Sequence, residues 1–402
     1  MLEIPDMAQA TAPRARLDRI DLDFRDSDTG YLTHSIHPYP AKFIPQIPNA
    51  LIREFTKVGD TVADVFCGSG TTLVEALLLG RNAIGVDANP LACLISAAKT
   101  SRLGLGDRAA LMGVATKADQ LAADLVVMGE SSLWKEHPFK SAAPRPDSEA
   151  LSFWFDAFVV EELAEVLSWC QGLSSETART VALVAFSSIV VNVSHQDSDT
   201  RYVRRNKNLV PGDAALRFAR AIRSAAAAVE EFTARVPEDV ECHIHLANIL
   251  EKPAVADFDL LVCSPPYPNA FSYHLYHMTR MLWLGLDQRR FKAEEIGSHR
   301  KYSSKGPNRA TAETFRNEMS EVLTWVSRHM KHLGLACFVV GDSTIRGSRI
   351  SNADLISDAA TEVGFQEVAR KLRRLDPTKK AFNPTIGRIK NETVLVLQKQ
   401  GM

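Results

Sequence analysis

The chain has 402 residues, 46% of them hydrophobic, and a net charge of −1, which allows one large domain with an insertion or two domains. The near-neutral balance excludes a globally basic nucleic-acid binder, so any such surface must come from local patches. No apolar run reaches the ~18 residues of a membrane span, residues 1–25 lack a signal-peptide core, and the six cysteines are scattered without a CxxC pair, which argues against zinc or a disulfide framework and for a reducing cytoplasm.

In chain order, 1–30 is expected to be a flexible N-terminus. Prolines 38, 40, 45 and 48 punctuate an extended entry into a helix at 48–57. Apolar patterning predicts a strand at 61–66, a turn at 68–70, a helix at 71–79, a strand at 82–86 and a helix at 90–100. This βαβα start reads as a doubly wound sheet. The alternation then breaks, and 104–238 carries helical periodicity at 106–128, 158–172, 176–193 and 212–234. Strands resume at 242–246 and 258–263, helices at 272–285 and 312–332, a strand at 335–340, a helix at 352–363 and a closing pair of strands at 366–372 and 392–397. The expected organisation is an α/β catalytic domain from 31–103 and 239–402, interrupted by a helical insertion at 104–238.

Two loops stand out. Ser264-Pro265-Pro266-Tyr267 follows an apolar strand, where an open α/β sheet places its chemistry. Phe66-Cys67-Gly68-Ser69-Gly70 joins a strand to a helix, where glycines let a ligand approach the backbone and the helix start offers free N–H groups. The dinucleotide fingerprint is incomplete, because Leu73 stands where its third glycine would fall, so a nicotinamide cofactor is disfavoured. Asp87 ends the next strand, where it either accepts the ribose hydroxyls of an adenosine ligand or caps the helix at Pro90.

Residues 64–72 (DVFCGSGTT), with Glu75-Ala76 and Gly85-Val86-Asp87, resemble the S-adenosylmethionine-binding motifs of DNA amino-methyltransferases. Residues 37–43 (HPYPAKF) resemble the segment that precedes this turn in that family and closes over the methionine end of the cofactor. Residues 264–267 (SPPY) resemble its catalytic loop, and a leading serine is typical of the cytosine-N4 branch. The resemblance implies a Rossmann-like S-adenosylmethionine methyltransferase sheet with a helical insertion. It implies cofactor contacts from His37, Pro38, Lys42, Phe43, Asp64, Phe66, Gly68, Ser69, Gly70, Thr71, Thr72 and Asp87. Asn248 stands where the family contacts adenine, and a turn cap is its other reading. Many cytosine-N4 members carry the two halves in reverse order, so adenine-N6 transfer stays open, as does a catalytically silent DNA-binding subunit. Glutamine-methylating relatives usually carry Asn where Ser264 stands.

An exocyclic base amine is a poor nucleophile, because its lone pair is delocalised into the ring. The Ser264 hydroxyl and the Pro265 carbonyl are two acceptors suited to hold its N–H bonds, Pro266 stiffens the loop, and Tyr267 is placed to stack on a flipped-out base. Cys263 precedes the loop on the strand and reads as structural, not as the nucleophile of C5-cytosine chemistry. Residues 339–343 could line the base pocket or form an ordinary turn. Among Phe271, Tyr273, His274 and Tyr276, most are expected in the core. Local basic runs lie at 201–207, 289–292, 300–309 and 371–374. Arg201, Arg204, Arg205, Lys207, Arg300 and Lys301 are the candidate DNA contacts, with the insertion as the leading target-recognition region, 287–310 the second, and 377–387 a hairpin flanking the base. His195, Asp197 and Asp199 are poorly spaced for a metal, and none is expected. The expected partner is double-stranded DNA, and a restriction endonuclease partner stays open beside a solitary or phage-defence role.

Overall fold

The computed structural model describes residues 12–42, 44–131, 139–199, 201–268, 272–298, 301–302, 309–374 and 391–400. Phe43, Phe271, Arg300 and the proposed hairpin at 377–387 lie outside the described residues.

Seven strands form the central sheet: β1 (Thr61–Asp64), β2 (Asn82–Asp87), β3 (Cys242–Leu246), β4 (Phe258–Cys263), β5 (Met330–Gly341), β6 (Phe365–Arg374) and β7 (Asn391–Lys399). Their order is β6-β7-β5-β4-β1-β2-β3. β1 through β5 run parallel, and β7 inserts antiparallel between β5 and β6. This is the expected Rossmann-like methyltransferase sheet with its late antiparallel pair. The inner strands are apolar on both faces because helices cover both. Ala63, Leu261, Phe338 and Leu395 face helices Ala312–His329 and Asn352–Glu362. Val62, Leu260, Val262 and Val394 face helices Gln46–Phe55 and Thr71–Leu78.

The helical insertion contains helices Leu105–Ser131, Ala157–Gln171, Glu176–Val190 and Asp213–Thr233. It shares one apolar cluster with helix Pro90–Thr100, in which Leu91 and Ile95 meet Val181, Ala185, Phe218 and Ile222. Buried Glu162 joins two of these helices by accepting the backbone N–H groups of Gly212, Ala214 and Ala215 at 2.8 to 3.1 Å. Four free donors at a helix start attract a carboxylate. No described helix is long and apolar enough to cross a membrane.

Three expectations need correction. Residues 12–24 are not loose: helix Pro13–Arg19 packs Leu17 into the core, and Lys371 donates to the carbonyls of Leu17, Asp18 and Ile20. The helix expected at 272–285 breaks at His277 into Tyr273–Tyr276 and Met278–Leu284. A small antiparallel hairpin, Gln196–Ser198 with Arg201–Arg204, stands in the insertion where no strand was expected.

Candidate active site

β1 and β4 are neighbours, with Val62 opposite Leu260 and Ala63 opposite Leu261. The glycine turn and the SPPY loop therefore leave the same edge of the sheet side by side. The Thr72 hydroxyl ties them further by donating to the Val262 carbonyl at 3.2 Å. Gly68 and Gly70 adopt left-handed backbone, with φ of 50° and 77°. A Cβ on Gly70 would stand 2.8 Å from the Ser96 hydroxyl, so the turn needs glycine for space as well as for dihedral.

Asp64, Ser69, Thr71 and Thr72 of this region are buried and Asp87 is half-buried. Asp64 accepts the Phe66 N–H at 3.1 Å, and burial pushes its carboxyl up to about 7. Asp87 accepts from Gly68 N at 2.8 Å and Asn89 N at 2.8 Å, one through each oxygen. Burial raises its carboxyl to about 6, against the pull of those two donors. Thus Asp87 braces the turn and leads into the Pro90 helix, whose cap is the Asn89 side chain. Ser69, Thr71 and Thr72 are buried, and the Ser69 hydroxyl has no partner among the described residues. Phe66 stays half-buried.

The HPYPAKF segment meets this turn through Tyr39. His37 is buried, with Nδ1 donating to the Pro38 carbonyl at 2.7 Å and Nε2 accepting from the Ser187 hydroxyl at 2.9 Å. Burial holds its pKa well below the usual histidine value, so the ring is neutral and both nitrogens are used. Lys42 donates to the His34 carbonyl at 2.7 Å. The residue that meets the turn is Tyr39, whose ring edge lies 3.5 Å from where a Gly68 Cβ would be. Tyr39 also stacks on Tyr273 at 5.6 Å between ring centroids. Nothing in the sequence sets Tyr39 apart within its motif for this contact.

Beyond Asp87 lies a cleft of about 210 Å³, walled by Ala88, Pro90, Ala247, Leu286, Phe291 and Glu294. Ala247 precedes Asn248, whose side chain accepts from Leu250 N at 3.1 Å. Asn248 is therefore a turn cap at the rim of this cleft. Leu286 and Phe291 carry no motif, so nothing in the sequence marked them as its wall.

In the SPPY loop, Ser264, Pro266 and Tyr267 are half-buried and Pro265 is buried. The Ser264 hydroxyl makes no hydrogen bond among the described residues. Tyr267 packs against the sheet core, and burial pushes its phenol up. Cys263 is fully buried with a raised thiol pKa, the environment of an inert thiol. Residues 341–343 form a turn in which Asn352 donates to the Gly341 carbonyl and Ser343 hydroxyl, each at 2.7 Å. His274 is buried beside Glu295, consistent with the core role expected for most of these rings.

The candidate DNA contacts are distributed unevenly. Arg201 and Arg205 are exposed, and both flank Asp197, at 3.4 and 3.3 Å. Arg204 lies over the Phe153 ring. Lys207 is turned inward to the Val191 carbonyl, and burial lowers its ammonium to about 8. Lys301 pairs with Glu318. Asp199 pairs with buried Arg280, and His195 lies 3.3 Å from Asp156. The hairpin is fixed to the segment after the SPPY loop by buried Gln196, which donates to the Tyr276 carbonyl at 3.0 Å and accepts from the Thr279 hydroxyl at 3.1 Å.

A family model described as DNA methylase, covering N6 and N4 methyltransferases, matches residues 21–98. Type II methyltransferase M.MjaII of Methanocaldococcus jannaschii is 46% identical over 69 residues, which is 17% of this chain and 13% of that protein. Type II methyltransferase M.MvaI of Kocuria varians is 31% identical over 179 residues, 43% of this chain and 37% of that protein. A ribosomal protein L11 methyltransferase of Actinobacillus succinogenes is 43% identical over 70 residues, 17% of this chain and 24% of that protein. The chain thus matches well under half the length of each of these relatives. A glycine turn alone would not separate these classes, but the DNA methylase match spans the HPYPAKF segment and the glycine turn together, and over this stretch the chain is similar to DNA amino-methyltransferases.

Proposed function

We propose that this protein is a site-specific DNA methyltransferase that transfers a methyl group from S-adenosylmethionine to the exocyclic N4 amine of cytosine. The observation that carries the reading is the adjacency of the glycine turn and the SPPY loop at one sheet edge, through the β1–β4 pairing. The residues at that edge fit an adenosine-bearing donor. Asp87 stands at the end of β2 beside an apolar cleft, and the buried Ser69 hydroxyl is unpartnered at the turn. The same cleft with Asn248 at its rim suits the adenine ring.

When bound, S-adenosylmethionine supplies a methyl group activated on a sulfonium. Ser264 and the Pro265 carbonyl hold the two N–H bonds of the base, which lets the nitrogen lone pair leave the ring and face the methyl carbon. Tyr267 stacks on the base, which must leave the duplex to reach this edge. Formation of the nitrogen–carbon bond would break the carbon–sulfur bond and release the thioether, and the surplus proton would pass from the nitrogen to solvent, since Ser264 and the Pro265 carbonyl are hydrogen-bond acceptors and not bases. Catalysis here is positioning and electrostatics, without a covalent nucleophile.

The insertion supports DNA as the partner. Its hairpin presents Arg201, Arg204 and Arg205 to solvent and is fixed through Gln196 to the segment that follows the SPPY loop. A restriction endonuclease is proposed as a functional partner from the type II relatives.

The test is nucleoside mass spectrometry of unmethylated DNA incubated with protein and S-adenosylmethionine, with Ser264→Ala alongside. N4-methylcytosine that disappears in the variant is the expected result. N6-methyladenine would keep the loop chemistry and reassign the base. Cofactor binding without any modified base would instead favour a silent DNA-binding subunit.

A further inference from the structure

We propose that residues 295–298 form a strap that positions the SPPY loop, with Gly297 as its contact point. The inference rests on the reading of residues 264–267 as the transfer loop. Gly297 has φ of 73°, and a Cβ built on it would lie 2.7 Å from the Pro266 carbonyl oxygen, 2.8 Å from the Pro266 carbonyl carbon and 3.0 Å from the Tyr267 carbonyl oxygen. All three are backbone atoms of the loop, so no side chain can swing aside. The strap is also anchored beyond the loop. Buried Glu295 accepts the Tyr273 N–H at 2.6 Å through one oxygen and the His274 Nδ1–H at 2.6 Å through the other. The Ser298 and Ser272 hydroxyls meet at 3.1 Å. Ile296 enters the sheet core against which Tyr267 packs. The strap therefore touches the loop at Pro266 and Tyr267 and grips the chain again at 272–274.

The consequence is geometric. A two-acceptor grip on a base amine works only when Ser264 and the Pro265 carbonyl are held to within about 0.5 Å. A methyl group at position 297 must move the loop or the strap by about 0.7 Å to restore ordinary contact of 3.4 Å with the Pro266 oxygen. Displacements of this size cost on the order of 10- to 100-fold in rate. Gly297 is a positioning residue: it touches the loop and neither the base nor the donor.

The experiment compares Gly297→Ala, Gly297→Asn and Gly364→Ala with the full-length wild type. Asparagine tolerates left-handed backbone but keeps the colliding Cβ. Gly364 has φ of 87° and nothing within 4 Å of its Cβ position, so its variant carries the dihedral strain without the collision. Transfer of radiolabelled methyl from S-adenosylmethionine to unmethylated plasmid DNA is measured, with KM for the donor. Both Gly297 variants should lose 10- to 100-fold in kcat with KM for the donor within about twofold, while Gly364→Ala keeps wild-type kcat. Gly297 variants with wild-type kcat would overturn the proposal. A wild type that transfers no methyl to DNA would overturn the functional reading instead. The strap is then judged by fluorotyrosine NMR, in which the Tyr267 resonance, assigned with Tyr267→Phe, should shift in Gly297→Ala and stay fixed in Gly364→Ala. An unshifted Tyr267 resonance would overturn it regardless of activity.

Discussion

The Ser187 hydroxyl donates to His37 Nε2 at 2.9 Å, joining the inserted helix Glu176–Val190 to the segment that crosses the glycine turn. The Ser187 carbonyl accepts from buried Arg280 Nε, also at 2.9 Å. One residue of the insertion thus holds both the HPYPAKF segment and the helix that follows the SPPY loop. Ser187→Ala leaves a neutral, fully enclosed imidazole nitrogen without its donor. The expected loss is about 1–3 kcal/mol of folding stability, read by urea denaturation. An unchanged midpoint and slope would show that the His37 ring reorients at no cost.

Asp87 gives a pH prediction for binding. Ribose hydroxyls donate to an ionised carboxylate, and burial has raised this one to about 6. As pH falls through that value the carboxyl takes a proton and loses acceptor strength. The dissociation constant for S-adenosylmethionine, by calorimetry, should be flat from pH 7 to 8 and weaken toward tenfold per unit below about 6. Asp87→Asn should bind more weakly at pH 7.5 and lose this acid limb. A wild-type profile flat down to pH 5 would remove Asp87 from the binding step.

Asp64 gives one for stability. Its folded-state carboxyl sits at about 7, against an unfolded value near ~3.9. The folded state therefore holds the extra proton, and stability falls as pH rises from about 4 to about 7, with the full penalty present above 7. Asp64→Asn keeps an acceptor for Phe66 N and removes the charge. Its advantage over wild type in unfolding free energy should grow from pH 5 to pH 8, by on the order of 3 kcal/mol. Parallel pH profiles for the two proteins would rule this out.

Much of this was legible because apolar periodicity survives tertiary context. β1, β2 and β4 are apolar or β-branched runs that need covering on both faces, β3 is the half-exposed edge strand, and all four appear within two residues of expectation. The glycine turn was legible because left-handed backbone has few residue choices. What stayed hidden depends on partners distant in sequence. The hairpin around Gln196 is polar and has no strand signature, and it forms because Tyr276 and Thr279 meet its amide. The partner of His37, the Ser187 hydroxyl, lies 150 residues along the chain and has no mark in the sequence. Asn248 showed the opposite pattern, since its local capping preference was in the sequence and is what the structure uses. Residues 295–298 carry no motif: the close approach to the loop rests on the missing side chain of Gly297, and the anchor Glu295 finds its partners at Tyr273 and His274 only in the folded chain.

The DNA surface is tested through charge. Replacing Arg201, Arg204 and Arg205 together by glutamine should weaken binding to a duplex and flatten the salt dependence by up to ~3 in slope, at roughly 0.9 per phosphate contact. Asp197→Ala should act in the opposite sense, because Asp197 partly neutralises Arg201 and Arg205. Fluorescence anisotropy between 50 and 200 mM salt, a range in which on the order of 10³-fold affinity changes are usual, reads both. If neither variant changes the slope, the phosphate-contacting surface lies elsewhere.

β6 is the outermost strand and has β7 on one side only. Residues 17–23 lie against the face of β6 that Lys371 and Arg373 share, through Lys371 on three carbonyls and Arg373 on the Leu22 carbonyl, and the Arg374 N–H donates to Asp23. The N-terminal segment adds Leu17 and Leu22 to the core on that face. A chain shortened to start at residue 25 keeps every candidate site residue but strips Leu17 and Leu22 from the core, so it should lose stability and aggregate through the apolar surface it uncovers.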